Sequence, residues 1–568
     1  MRIKLLCVLA LLWSCYSTAQ EKDPEVGLVL SGGGAKGLAH IGALKVIEEA
    51  GVQIDYIGGS SMGAIIGSLY AAGYSAHQLD SIFQETNFSV LIQDQLPRSA
   101  KTFYEKEDAE KYVLSLPFNN FKISFPSGLS RGQNLYNLMS RLMVHLKDKR
   151  DFENLPIPFF AVATDVETGE EVILDSGYLP KAVSASAAIP TLFGPVEING
   201  RLLTDGGVSN NYPVEELRKR GADIVIGVDV QDTLAKREDL NSVFDILTQI
   251  SNFRTIRAMQ GKKEKTDVYI NPPIKPFSVV SFGSGRKIID AGEKAAREKM
   301  PELKKIAARQ EKEARKEIKI TKVDSIYISN VRIVGEQTYP RSYIMGKLKL
   351  EYPGKISYND FIFGINNLTA TNNFKKVNYK LIPVNDGYVL ELRLEENPTK
   401  TFLKLALHYD DLYKSGALVN LTHKSLFFTN DVTSLDLVVG DNFRYNFQYY
   451  WDKGYYWSVG LRSRFNTFNK DVGIEYAENK LNISEIDVNQ IEIEYADFTN
   501  QLYVQSLFGH IFSFGMGLEH KYLEVISETI GDAGMNKSIP STIFDKSHYY
   551  SSFGFLKLDT YDNSYLPT

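Results

Sequence analysis

Short apolar, β-branched runs at Val26–Leu30, Phe159–Thr164 and Ile224–Val230 alternate with longer stretches of helical periodicity between Glu25 and about Lys287. Buried parallel strands read as unbroken apolar runs, so the pattern predicts an α/β domain with a largely parallel sheet over residues 20–287. From 288 to 324 the chain becomes rich in Lys, Glu and Arg, with the run KKIAARQEKEARKEIK, which reads as a solvated helix linking two units. Residues 325–398 then present a strand (Ile326–Val334), two helical stretches, and a hairpin whose arms Val377–Val384 and Tyr388–Glu395 meet at Asn385-Asp386-Gly387. These make a small α+β module.

The pattern changes again over 399–568, where roughly half of the chain's aromatics fall. Phe443, Tyr445, Phe447, Tyr449 and Trp451 alternate with Arg444, Asn446 and Gln448; Trp457, Val459 and Leu461, and later Phe512, Phe514, Met516 and Leu518, alternate with small or polar residues. Period-two alternation with aromatic rows suits an antiparallel transmembrane β-barrel, whose every backbone group is paired between strands. A soluble β-sandwich also alternates, but rarely sets so many aromatics on one face. About ten strands fit after Thr401 at roughly 16 residues per span and connection. The closing Ser564-Tyr565-Leu566-Pro567-Thr568 reads as a turn, so the barrel is expected to be truncated.

Composition narrows the function. A net charge of −5, from 64 basic and 69 acidic residues, gives no basic surplus to neutralise phosphates and argues against nucleic acid as a partner. No apolar run of membrane-spanning length occurs beyond the extreme N-terminus, so any crossing would be by strands. Residues 1–19 carry Arg2 and Lys4, an apolar run Leu5–Trp13 and the small residues Ser17-Thr18-Ala19, the layout of a secretory signal peptide. A lipoprotein reading through Cys15 competes, against the bulk of Trp13 two positions before it. Cys7 and Cys15 are the chain's two cysteines, so the mature protein is expected to lack thiol chemistry.

Three elements carry candidate chemistry. Ser31-Gly32-Gly33-Gly34-Ala35-Lys36-Gly37 lies between a strand and a helix, where converging backbone N–H groups make an anion site. Gly32, Gly34 and Gly37 also satisfy G-x-G-x-x-G, with Asp55 as the acidic partner of a dinucleotide site; but Asp55 precedes its strand, where such a site needs it at the strand's end. Gly59-Ser60-Ser61-Met62-Gly63 is G-x-S-x-G between a strand and the small-residue helix Ala64–Ala72, the setting of a nucleophile elbow. Thr204-Asp205-Gly206-Gly207 follows a strand-like Ile198–Leu203. A serine nucleophile needs a base; His40, His77 and His145 sit in helical contexts and read as structural or exposed, and Ser60 reads as a small turn residue. No His/Asp/Glu spacing implies a metal, and no cofactor is implied.

Leu28–Gly63, with Asp205-Gly206-Gly207, resembles the patatin-like phospholipase family. The likeness continues through Gly128-Leu129-Ser130-Arg131-Gly132, Ala163-Thr164-Asp165 and Ser186-Ala187-Ala188-Ile189-Pro190. The resemblance implies a three-layer α/β/α hydrolase with Ser61 as nucleophile and Asp205 alone as base. It implies an oxyanion hole from Gly32, Gly33 and Gly34, with Gly37, Gly59, Gly63, Gly206 and Gly207 as motif support. Lys36 stands where many members carry arginine, keeping the charge without the bidentate geometry. Residues 325–398 resemble a polypeptide-transport-associated (POTRA) domain and 399–568 the surface-antigen type of outer-membrane barrel, which needs more strands than fit after Thr401. This order is similar to the patatin-like type V autotransporters. The expectation is a phospholipase A-type acyl hydrolase in the outer membrane of a Gram-negative bacterium, its enzyme domain periplasmic or on the surface. Its expected partners are a phospholipid or other lipid ester, the barrel-assembly machinery, and a second copy in a homodimer. The alternative is a translocation or assembly factor with an inactive patatin-like domain.

Overall fold

Val26–Leu30 forms a strand with all five residues buried, as its unbroken apolar run demands. The computed structural model in which it lies describes residues 23–124, 128–146, 149–231, 233–234, 236–240, 243–311, 320, 323–335, 337–452, 457–473, 490–508, 511–527 and 542–562. The signal-peptide stretch, much of the charged run and the closing turn lie outside the described residues. The chain divides into two units, one of Met1–Gln93 and Gly128–Lys322, the other of Asp94–Ser127 and Val323–Thr568.

In the first unit an eight-stranded sheet runs in the order Val268–Ile270, Ile224–Val228, Val26–Leu30, Tyr56–Ser60, Phe159–Asp165, Arg201–Asp205, Val196–Ile198, with Glu171–Leu174 also on Phe159–Asp165. The first five are parallel and the rest antiparallel. Ile198–Leu203, expected as one strand, is the tip of a hairpin: Asn199 and Gly200 take φ of 52° and 78°, the positive pair that an Asn-Gly turn between two strands requires. The linker reading is corrected at its start. Helices Gly285–Arg297 and Met300–Ala307 bury Ile288, Ile289, Leu303 and Ile306 in the first unit's core, an apolar stripe inside a charged stretch. Gly292 lets the first of these press on helix Ala39–Glu49, since a Cβ there would stand 1.9 Å from the Ala39 carbonyl oxygen.

In the second unit, strands Ser325–Val334, Gly354–Ser357, Phe374–Val384 and Gly387–Glu396 form a four-stranded sheet with helices Arg341–Leu348 and Tyr358–Ala370. The anticipated strand, two helices and hairpin are present, with the short Gly354–Ser357 strand added at the edge.

A ten-stranded sheet follows. Its core is an antiparallel meander of Thr401–Asp410, Lys414–Lys424, Asp431–Gly440, Arg444–Trp451, Ser458–Gly473, Gln490–Phe508, Phe512–Ser527 and Thr542–Leu558. Among the described residues eight strands stand from Thr401 onward, the last four running to 16–19 residues each, longer than the span of about ten residues behind the expected ten. Burial is inverted relative to a soluble sandwich. Asn420 (0%), Asp436 (3%) and Thr499 (2%) are buried, whereas Leu502 (53%), Met516 (57%) and Leu518 (66%) are exposed. A polar inner face and an apolar outer face are what lipid selects for in a spanning sheet. No helix among the described residues is long and apolar enough to cross a membrane.

Candidate active site

The strand Tyr56–Ser60 runs directly into the helix Met62–Ala71, and the joint is Ser61, at φ 53° and ψ −123°. A non-glycine residue there stores roughly 1–3 kcal/mol of strain, held by the elements on either side. Gly59 and Gly63 serve close approach: a Cβ on Gly59 would lie 2.6 Å from the Gly63 carbonyl oxygen, and one on Gly63 would lie 2.1 Å from that of Leu30. The Ser61 side chain makes no capping bond to its own helix, which leaves the hydroxyl available for chemistry at the positive end of the helix dipole. Its amide donates to Ser186 Oγ at 3.2 Å, and Ser186 Oγ donates in turn to the Val162 carbonyl at 2.5 Å.

Asp205 ends the strand Arg201–Asp205 and is 5% exposed. Its backbone is fixed at both ends, N–H to the Ala188 carbonyl at 3.0 Å and C=O receiving Thr164 Oγ1 at 2.8 Å. Burial raises its carboxyl from the ordinary 3.8 to about 6; the Ser61 hydroxyl, and after it the Gly207 amide, pull the other way. Oδ1 accepts the Gly207 N–H at 2.7 Å, while buried Oδ2 carries no hydrogen bond of full geometry. Serine and carboxyl are thus coupled, and Oδ2 is left open to take a proton.

The glycine loop lies against the elbow, since a Cβ on Gly32 would sit 2.7 Å from Ser61 Cβ. One expectation is corrected here. The Gly32 amide does not face the serine as a free donor: Asn211 Oδ1 accepts it at 3.0 Å, and Asn211 Nδ2 donates back to the Gly32 carbonyl at 3.2 Å. Among the described residues the amides of Gly33 and Gly34 donate to no neighbour, so these two are the available donors. Gly34 takes φ 56°, and a Cβ there would meet the Val279 carbonyl oxygen at 2.3 Å, so only glycine fits. Gly37 leaves room for Met62, whose Cγ would be 2.3 Å from a Cβ. Lys36 is buried at 2% exposure.

The remaining candidates are placed elsewhere. His40 Nε2 donates to the Ser31 carbonyl at 2.8 Å, and burial lowers its pKa to about 4, so at neutral pH it is an uncharged brace for the loop. His77 is exposed, and His145 bonds the Ala72 carbonyl at 3.0 Å. Asp55 Oδ2 accepts the Val26 N–H at 2.8 Å, tying two strand starts together, which removes it from any ribose-binding role. Ser60 Oγ is buried without a partner, packed where a Cβ on Gly206 would meet it at 2.6 Å. Ser186 and Thr164, which lie in the matched blocks without an assigned role, are positioning groups, and Asn211 is a third that sequence reading missed. The signal for Asn211 was its place four residues beyond Gly207, in a turn where an amide side chain can serve both backbone groups of one residue.

Ser61 and Gly34 line a cavity of about 40 Å³. Its other walls are apolar, with Ile65, Leu135, Ile189 and Phe193 along it and Phe83, Phe88 and Phe282 among its walls. Phe88 stacks on Phe282 with centroids 4.4 Å apart. The arrangement can hold a chain of methylenes beside a serine, an acid of raised pKa and two backbone donors. No group of three or more metal-binding side chains occurs among the described residues.

Residues 28–218 match the family model of patatin-like phospholipases, and residues 388–568 match that of the OMP85 superfamily. Among curated proteins, a patatin-like phospholipase domain-containing protein of Caenorhabditis elegans is 29% identical over 307 residues, 49% of this chain and 21% of its own length. Lysophospholipase NTE1 of Scheffersomyces stipitis is 27% identical over 300 residues, 48% of this chain and 17% of its own. This chain therefore spans about a fifth of the curated relatives it matches. Among solved structures, BamA from Haemophilus ducreyi aligns at TM-score 0.30 and 12% identity over 45% of this chain and 47% of that one. VipD from Legionella pneumophila aligns at TM-score 0.28 and 15% identity, over 50% and 67%.

Proposed function

We propose that this chain, a patatin-like phospholipase domain followed by an OMP85-superfamily sheet, is a lipid acyl hydrolase held in the outer membrane, working through Ser61 and Asp205. The observation that carries the reading is the strained Ser61 in the wall of an apolar cavity, coupled to a buried carboxyl whose pKa is lifted to about 6. A base tuned to that range is unprotonated at neutral pH yet basic enough to take a hydroxyl proton in the transition state. Asp205 takes the Ser61 proton as Oγ attacks the ester carbonyl, and the amides of Gly33 and Gly34, with the helix N-terminus behind Ser61, hold the oxyanion. Asp205 returns the proton to the leaving alcohol, then activates the water that hydrolyses the acyl-enzyme. Residues 325–398 are read as a POTRA-like domain between enzyme and barrel. The OMP85 match and the inverted burial of the sheet support an outer-membrane location.

The slot sets the expected preference. Each buried methylene contributes about 0.8 kcal/mol, so kcat/KM should rise roughly fourfold per added methylene until the slot is full. The full chain in detergent, assayed for fatty-acid release over phospholipids and acyl esters of increasing chain length, tests this. Flat kinetics across chain lengths, or no release from any ester, would reject the acyl-slot reading.

Asn211 should govern the oxyanion loop without touching substrate. Asn211→Ala removes both side-chain bonds to Gly32 and leaves its amide only the 3.4 Å bond to the residue 211 carbonyl, so kcat is expected to fall on the order of 100-fold, comparable to losing one oxyanion donor, with KM nearly unchanged. A rise in KM at constant kcat would show that the residue serves binding instead.

A further inference from the structure

Helix Val243–Glu264 lies in the crossover between the parallel strands Ile224–Val228 and Val268–Ile270. Such a crossover returns from the edge where one strand ends to the edge where the next begins, so the helix's first half lies toward the ends of the parallel strands. That is the edge at which Ser61 follows the strand Tyr56–Ser60. The inner side of the helix is pinned to the first unit. Thr255 is buried, and Met259 packs on the apolar cluster that holds Val29, Phe160 and Tyr212. Lys262 Nζ donates to Asn210 Oδ1, and to the Tyr212 carbonyl at 3.0 Å, bracing the loop that follows Asp205.

The outer side is not that of a solvated helix. At 3.6 residues per turn, positions 246, 250, 253 and 257 fall along one line, with 247 and 254 beside it. Ile246, Leu247, Ile250 and Phe253 stand there at 39–54% exposure. The same line continues into exposed Arg254 and Arg257. Lys262 and Lys265 pair with Glu215, and Lys263 sits over the Tyr269 ring. Arg254 and Arg257 make no ion pair or hydrogen bond among the described residues.

We infer that this face seats the domain on an anionic phospholipid surface, its four apolar side chains entering the headgroup layer and its two guanidinium groups meeting lipid phosphates. An apolar stripe running into unpaired cations is the build of a helix that lies in a membrane interface. Charge decides the occupant. A second copy of the same face brings the arginines no carboxylate, since none of the six positions is acidic, whereas a phosphate surface offers one anion after another. A chain of net charge −5 is otherwise repelled by such a surface, so cations gathered on one helix fix which side approaches it. Docking turns the Ser61 edge toward lipid. The inference rests on the lipid-hydrolase reading for that purpose, and its test reads docking apart from hydrolysis.

The test uses the full chain carrying Cys7→Ser and Cys15→Ser, with an environment-sensitive fluorophore on a cysteine introduced by Ile250→Cys. It is reconstituted into vesicles of phosphatidylcholine, or of phosphatidylcholine and phosphatidylglycerol in equal parts, with nitroxide-labelled lipid as quencher. The label is expected to shift to the blue and to be quenched in the anionic vesicles. A control label at Lys219 should stay unquenched, because that residue ends the helix leading into strand Ile224–Val228 and so lies at the opposite edge. Adding Arg254→Gln and Arg257→Gln should lower the ratio of docked to free label roughly 30-fold, about fivefold for each cation near the surface. Quenching without ester hydrolysis would uphold the docking face and fail the hydrolase reading. An unquenched label, equal quenching at 250 and 219, equal quenching in both vesicles, or self-quenching that follows protein density in place of lipid quenching would overturn the docking face, the last by showing a second copy on it.

Discussion

Replacing Ser61 with alanine is expected to lower ester hydrolysis by roughly 10⁴-fold or more, leaving only what binding and the oxyanion donors supply. The size follows from the site's construction. The adjacent hydroxyl, Ser60, is sealed in the strand, and the walls of the slot present no other nucleophile. Folding should be nearly untouched, because alanine inherits the same backbone at φ 53° without losing a packing group. Ser61→Gly separates the two effects further: glycine adopts that φ freely, so the variant should be equally inactive but more stable by about 1 kcal/mol. Steady-state kinetics beside a thermal melt measures both. Substantial residual turnover in Ser61→Ala would remove the serine from the mechanism.

The second large effect is at Asp205. Asp205→Asn keeps the shape and an acceptor for the Gly207 amide but cannot take a proton, and a loss of about 10³- to 10⁴-fold in kcat is expected. The wild-type pH profile should carry the same signature. With a pKa near 6, kcat/KM should fall about tenfold per pH unit below that value and level off above it. His40, lowered to about 4 and bonded to the Ser31 carbonyl, should contribute no limb at neutral pH.

Stability is linked to the same carboxyl with a definite sign. The folded pKa, about 6, lies above the ordinary 3.8, so Asp205 favours the fold when protonated, and that contribution is lost as pH rises through 6. Asp205→Asn, neutral at every pH, should therefore be more stable than wild type by roughly 3 kcal/mol at about pH 8 and equal to it at about pH 3. A variant less stable than wild type at the higher pH would mean that the carboxyl is stabilised by a partner rather than strained by burial.

The elbow and the acid were legible because each is a local necessity. A strand turning at once into a helix needs Gly59 and Gly63 where no Cβ fits, and a glycine loop one unit earlier needs Gly34 at positive φ. What supports them was not legible, since the bonds join positions far apart in the chain. Asn211 reaches back 179 residues to Gly32, and Ser186 reaches 125 residues to Ser61. Neither side chain advertises its partner; each reads locally as a small polar residue in a turn or at a helix end. The charged stretch after 287 misled for a different reason: its lysines and glutamates outnumber the six apolar residues that face the core. The segment 94–127 gave no boundary signal, because a six-residue strand such as Leu114–Asn119 looks alike whether its partner lies in one unit or the other.

The most direct test of the Ser61–Asp205 account is to trap the acyl-enzyme. The full chain is mixed with a slowly deacylating long-chain ester, quenched in acid within the first turnover, and the peptide containing Ser61 is analysed by mass spectrometry. The account predicts one acyl group per active chain on Ser61, absent from Ser61→Ala and much slower to form in Asp205→Asn. Ester hydrolysis at full rate with no acyl group on that peptide, or the same acylation in Ser61→Ala, would contradict it.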